Sequence, residues 1–166
     1  LTTVHLALGS NLGDRMAHLA AALDGLAGPV RIVAVSPVYE TAPMYVTDQP
    51  AFLNMALAGD TGLAPGPLLD AIKQIERELG RRAGGPRFGP REVDIDILFH
   101  GAGVVDTPDL VIPHPRMAER AFVLAPLADV AADVVHPVLR RTVAALLAGV
   151  PGLDSVVVHA PPLRLY

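Results

Sequence analysis

The sequence predicts an α+β fold: a β-α-β-β-α-β core with a mostly antiparallel sheet and additional C-terminal helices. Three observations predict it. Alternation over residues 3–8, with Val4, Leu6 and Leu8 on one face, is followed by an apolar stripe at helical spacing. A second strand-then-helix succession recurs at 52–58 and 68–79, with a strand before it at 30–39 and another after it at 93–99. At 166 residues, 51% hydrophobic and 18% charged, the chain is long enough to bury a core around such a sheet and too apolar to stay disordered.

Val4, Leu6 and Leu8 share one face of the first strand, and residues 9–13 form a turn. Met16, Leu19, Ala20, Leu23 and Leu26 then recur at helical spacing, with Asp14 as N-cap and Gly28-Pro29 as the stop. Residues 30–39 read as a strand in which Pro37 marks an edge or a bulge, because proline brings no N–H to a ladder. A polar loop at 41–50, punctuated by Pro43 and Pro50, leads to a third strand at 52–58. Leu68, Leu69, Ile72, Ile75 and Leu79 make an apolar stripe opposed by Asp70, Lys73, Gln74, Arg77 and Glu78, with Gly80 expected to end the helix. The fourth strand is 93–99. Beyond it come a hairpin-like segment at 101–106, a loop at 108–116, helices near 120–131 and 140–147, and a possible strand at 156–159. The order strand–helix–strand–strand–helix–strand is that of a ferredoxin-like split β-α-β unit, with helices on one face of the sheet.

The bulk numbers exclude several classes. A formal charge of −4 argues against a general nucleic-acid or anionic-membrane binder. No apolar run approaches the ~20 residues needed to cross a bilayer, and a cytoplasmic location is expected. With no cysteine there are no disulfides or thiolate sites, so any metal is held by oxygen or imidazole. Residues 1–166 are expected to be one domain, acting as a monomer on small molecules.

Residues 80–99, GRRAGGPRFGPREVDIDILF, carry the sharpest chemistry. Arg81, Arg82, Arg87 and Arg91 precede a strand that displays Asp94 and Asp96. Side chains alternate along a strand, so both acids face one way while Val93, Ile95 and Ile97 face the other. Their Cα atoms then lie ~6.5 Å apart, within reach of one divalent cation or of two. A merely solvated face accounts for the same alternation. Gly84, Gly85 and Gly89 loosen the preceding segment, and Pro86 and Pro90 forbid a helix there. Such a loop is expected either to close over a ligand, bringing guanidinium groups to phosphate oxygens, or to be a basic surface loop.

Other segments are weaker alone. Residues 9–13, GSNLG, stand where a phosphate-binding turn would, but lack Walker and dinucleotide spacing; a turn with a helix cap explains them as well. Thr41-Ala42-Pro43-Met44 and Phe52-Leu53-Asn54 flank a loop and offer an amide beside an aromatic, a combination suited to a flat heterocycle. His114, between Pro113 and Pro115 and followed by Arg116 and Arg120, is either a phosphate contact or a loop histidine with a local hydrogen bond.

Together, LALGSNLGDR, ETAPMYVTDQPAFLN, GPREVDIDILF and IPHPRMAERAFVLAPL, in this order and over nearly the whole chain, resemble the 6-hydroxymethyl-7,8-dihydropterin pyrophosphokinases of folate biosynthesis. The resemblance implies a ferredoxin-like fold. It also implies transfer of the β,γ-pyrophosphoryl group of ATP to the pterin's hydroxymethyl oxygen, with release of AMP. It assigns Asp94 and Asp96 to two Mg²⁺ ions, and Arg81 and Arg91 to the phosphates during transfer. Thr41, Pro43, Met44, Phe52, Asn54 and Phe122 match pterin-pocket positions, with Phe52 and Phe122 stacking on the ring. Glu76, Ile97, His114, Pro115 and Arg120 fall at ATP-site positions beside Arg81 and Arg91, and residues 9–13 would line the site. The chain departs from the pattern at Tyr45, Ala83, Asp109, Val111 and Pro115, and Phe88 stands where tryptophan is frequent.

The implied chemistry needs positioning and charge stabilisation more than a covalent group. Asp96 or solvent would take the proton. Two rivals use the same residues: a metal-dependent phosphohydrolase that activates water, and a nucleotide-sensing ferredoxin-like binding module without turnover.

Overall fold

Alternation in β1 (Thr2–Ser10) buries Val4, Leu6 and Leu8 on one face and turns His5 and Ala7 to the other. In the computed structural model, residues 1–41, 51–82 and 92–165 are described, Arg81 and Arg82 by their main chain. After β1 come α1 (Arg15–Leu26), β2 (Arg31–Val35), β3 (Val38–Thr41), β4 (Phe52–Thr61), α2 (Pro65–Arg82) and β5 (Asp94–His100). A small ribbon of β6 (Val105–Asp106) and β7 (Val111–Ile112) follows, then a 3-10 turn at Met117–Glu119. The chain continues through α3 (Ala121–Ala131), α4 (Val143–Gly149) and β8 (Val156–Ala160).

The main sheet runs β5-β1-β4-β3-β8, with β2 also on β4, and all of these pairings are antiparallel. This is the split β-α-β order read from the sequence, widened by one C-terminal strand. The single strand expected at 30–39 is two. β2 lies against Leu57 to Asp60 and β3 against Phe52 to Asn54, so both share one edge of β4. The break falls at Ser36-Pro37, where the sequence suggested only an edge or a bulge within one strand. Ser36 repairs the ladder there: its N–H donates to Ala56 O and its Oγ accepts from Ala56 N, each at 2.9 Å.

Helices α1 and α2 cover one face, packing Leu19, Leu23, Leu26, Leu68, Ile72, Ile75 and Leu79 on Val4, Leu6, Leu8, Ile95 and Ile97. The other face is covered too. α3 and α4 place Val123, Leu124, Leu127, Val143 and Leu146 against Ala56, Leu98 and Phe99, which makes three layers. Two local readings need correction. Ala20 is exposed and Ala22 is buried, because the helix is rotated to follow Leu19, Leu23 and Leu26. Gly80 does not end α2, which continues to Arg82. Glycine in a helix costs roughly 1 kcal/mol against alanine and does not stop it, so Arg81 and Arg82 close the helix and do not open the loop.

Asp14 caps α1 as expected, its carboxylate accepting from Ala17 N at 3.1 Å. The turn before it needs a glycine: Gly13 has φ +61°, and its Cα side faces the ring of His18. That ring's Nδ1 lies 3.0 Å from Leu12 O, tying the turn to the helix it precedes.

His5, Phe99 and His136 stack edge to face, each neighbouring pair of ring centroids 5.7 Å apart. Burial holds both histidines below their ordinary value of 6.5. The unfolded chain therefore takes up protons that the folded one resists. Their contribution to stability is present above 6.5 and is lost as pH falls below it. Glu76, raised above 4.5 chiefly by burial, works in the opposite sense. A His5→Leu variant cancels Glu76 by difference: between about pH 7.5 and about pH 5.5 its urea midpoint should fall less than that of the parent. Parallel decline of the two midpoints would show that His5 takes no part in acid sensitivity.

Candidate active site

Asp94 and Asp96 open β5, and the register shows what lies beside them. Gly9 pairs with Asp94 on one side and Asn54 on the other, while Tyr39 pairs with Asn54 from β3. The next row is Asp96, Ala7, Ala56. Residues paired across an antiparallel sheet share a face, and these two rows are on the α3 side. Asp94 is exposed and the Asp96 side chain is 41% accessible. Between the acids and Asn54 the sheet carries only a hydrogen at Gly9 and the methyl group of Ala7, while Ala56 beyond them is covered by the α3 side chains. The floor is bare by sequence. A Cβ at position 9 would sit 3.0 Å from Asn54 Oδ1.

Asn54 is buried, and its Nδ2 donates to Thr41 Oγ1 at 3.3 Å. Thr41 pairs with Phe52, which is 38% exposed and shares the face of Asn54 two residues on. Phe122 stands half-buried on α3, with the Arg120 guanidinium 5.6 Å from its ring centroid, a cation–π geometry. Thr41, Phe52, Asn54 and Phe122 thus lie on the side of the sheet that carries Asp94 and Asp96.

His114 reaches the same side from the segment after β7. Its N–H donates to Leu98 O at 3.2 Å, and its Nε2 lies 4.0 Å from Asp96 Oδ2. Its Nδ1 accepts from Arg116 N at 3.2 Å, so in the neutral ring the proton is on Nε2, facing Asp96. Burial, then the Arg120 charge, holds this histidine below 6.5, against an opposing pull from Asp94. Glu76 comes from α2 around the sheet edge. Its Oε2 accepts from Ile95 N at 2.9 Å and its Oε1 lies 3.2 Å from Lys73 Nζ, so it fixes the start of β5 between the two acids. Ile97 is buried on the opposite face, in the α1–α2 core, so any contact it makes with a nucleotide falls to its main chain. Pro115 is exposed, as are Asp109 and Val111. A cleft of about 310 Å³ between α1 and α2 is lined by Ala21, Asp24, Gly25, Ile75, Glu78 and Leu79, none of which is a predicted site residue.

Pro43, Met44, Tyr45, Ala83, Phe88, Arg91 and the Arg81 side chain lie outside the described residues. Sequence reasoning missed Tyr39, whose hydroxyl donates to Asp129 of α3 and is pushed up to about 12, first by burial and then by that carboxylate. It pins α3 over the row that contains Asn54. It missed Ala7 as well. A small residue in a strand gives no signal until its neighbours across the sheet are known.

Sheet, layers and acid-bearing edge strand are those of a ferredoxin-like α+β protein. Solved chains share this fold: the HPPK-DHPS of Plasmodium falciparum crystallised with pteroate superposes at a TM-score of 0.73 and 17% identity, covering 89% of this chain and 44% of that one. Residues 5–132 match the family described as 7,8-dihydro-6-hydroxymethylpterin-pyrophosphokinase (HPPK), and the chain belongs to that family. The 2-amino-4-hydroxy-6-hydroxymethyldihydropteridine pyrophosphokinase of Pseudomonas aeruginosa is 48% identical over 81% of this chain and 83% of its own length. That of Bacillus subtilis is 48% identical over 78% of each. The mitochondrial folate synthesis bifunctional protein of Arabidopsis thaliana is 49% identical over 80% of this chain. The chain spans only about a quarter of that bifunctional relative.

Proposed function

We propose that the chain transfers the β,γ-pyrophosphoryl group of ATP to the hydroxymethyl oxygen of 6-hydroxymethyl-7,8-dihydropterin, releasing AMP, as a step in folate synthesis. One observation carries the reading: Asp94, Gly9 and Asn54 form one row across the sheet, so acids and a ring-reading amide flank a floor without side chains. The pterin lies on that floor, between Phe52 and Phe122, with Asn54 on its edge. The hydroxymethyl oxygen attacks the β-phosphorus in line, the bond from that phosphorus to the α-phosphate oxygen breaks, and AMP leaves. The hydroxyl proton goes to solvent or to Asp96.

Among the described residues no three His, Asp or Glu side chains converge as a metal cage. Mg²⁺ suits the site nonetheless, because it is commonly held by one or two carboxylates and completed by phosphate oxygens and water. Asp94 and Asp96 would hold it, two ions being expected, and bound there it would polarise phosphate oxygens and acidify the attacking hydroxyl. His114, neutral with its proton on Nε2, offers a donor to phosphate and is no base. Arg120 adds positive charge beside it. Arg81 and Arg91 remain the proposed phosphate partners during transfer on sequence grounds.

Residues 1–166 act in this reading as one domain; β8, from near the end of the chain, is part of the same sheet. No helix among the described residues is long and apolar enough to cross a membrane. The cytoplasm is the proposed compartment, although two bifunctional plant relatives carry mitochondrial names. Purified protein with ATP and Mg²⁺ should release AMP only when the hydroxymethyl pterin is added. Release of phosphate or AMP without pterin would turn the reading to a hydrolase. Binding of both ligands without turnover would turn it to a binding module.

A further inference from the structure

Arg15 is the first residue of α1, on the face of the sheet opposite the acids, yet its guanidinium reaches both strands that carry the proposed pterin contacts. Its Nη1 donates to Glu40 Oε2 at 3.1 Å and to Ala51 O at 2.7 Å. Glu40 precedes Thr41, the last residue of β3, and Ala51 precedes Phe52, the first of β4. Thr41 and Phe52 are the terminal pair of that ladder. A ladder's last pair frays most readily, because it has neighbours on one side only. One guanidinium therefore clamps the end where Thr41 and Phe52 stand, two residues from Asn54. His159 of β8 also stands near this carboxylate, its Nδ1 3.7 Å from the same Oε2. The pair is partly exposed, with 24% and 34% of the side chains accessible, so it adds little to global stability and its effect is local.

We infer that Arg15 is a positioning residue for the pterin side of the site: it holds the ends of β3 and β4 in register so that Thr41, Phe52 and Asn54 meet the ring together. This rests on the pterin reading above. A displaced contact group weakens binding steeply, so Arg15→Ala should raise both Kd and KM for the hydroxymethyl pterin about tenfold. The Kd of a non-hydrolysable ATP analogue and kcat should each stay within about threefold, and Tm within a few degrees. Arg15→Lys keeps the charge and several donors on one nitrogen, but its shorter side chain does not bring that nitrogen to where Nη1 meets both acceptors, so it should recover part of the loss. It also serves as the test if the alanine variant folds poorly.

Calorimetry with the two ligands, steady-state kinetics and thermal melts decide the matter. Pterin affinity equal to the parent's in Arg15→Ala, or in Arg15→Lys where alanine does not fold, overturns the inference. So does an equal loss for both ligands accompanied by a large fall in Tm, which is what a merely structural residue gives. Failure of the parent protein itself to bind pterin overturns the functional reading, and this inference with it. Parent binding with an unaffected variant overturns the inference alone.

Discussion

Asp94→Ala and Asp96→Ala should each lower turnover by roughly 10³-fold or more while leaving the protein folded. The size follows from what the carboxylates do in the proposed reaction. Each would supply a fixed anionic oxygen that holds the cation against the polyphosphate, and neither has a substitute nearby on the sheet, where positions 7 and 9 are alanine and glycine. The preserved fold follows from exposure. Asp94 is exposed and Asp96 is 41% accessible, so neither side chain is part of the core, and taking away one of two like charges on a face relieves repulsion. Asp→Asn at each position tests charge at constant shape and should be nearly as damaging. AMP release in Mg²⁺, with a thermal melt on the same sample, is the measurement. Activity near that of the parent in either variant would mean that the acids are a solvated strand face after all.

The pattern of Asp94 and Asp96 was legible because it depends only on alternation, which the chain carries locally. The same holds for Val4, Leu6 and Leu8, for the stripe from Leu68 to Leu79 and for Asp14 as a cap. What was not legible depends on residues far apart in sequence. That Ala7 and Gly9 form a floor is known only when β4 and β5 are laid on either side of β1. That α3 and α4 cover the second face follows from Leu98 and Phe99 both being buried there. This in turn comes from a register shift between His5 and Leu6 that no local pattern announces. Arg15 carried no signal of its own beyond its place in LALGSNLGDR, because its partners are 25 and 36 residues away. Gly80 misled for a different reason: a glycine weakens a helix without ending it, and the stronger stop signals, Gly84, Gly85 and Pro86, come later in the chain.

Asn54→Ala should separate the two substrates. Asn54 is 8% exposed, and the bare position at Gly9 leaves its amide facing the floor. An amide offers both a donor and an acceptor, the pairing that the edge of a pterin ring presents in complement. Its loss leaves ligand groups desolvated and unpaired, at about 1–3 kcal/mol, so pterin affinity should fall about 10- to 100-fold. The acids and His114 are untouched by the change, so a non-hydrolysable ATP analogue should bind within about threefold of the parent. Two companion variants locate the effect. Thr41→Val removes the oxygen to which Asn54 Nδ2 donates, and should give a smaller loss of the same sign by letting the amide turn. Gly9→Ala adds a methyl group 3.0 Å from Asn54 Oδ1, closer than such atoms normally approach. It should push the amide aside and so weaken pterin binding without any change of residue at position 54. If all three variants bind pterin normally and lose the ATP analogue instead, the floor between Asp94 and Asn54 belongs to the nucleotide, and the ring must be sought elsewhere on the sheet.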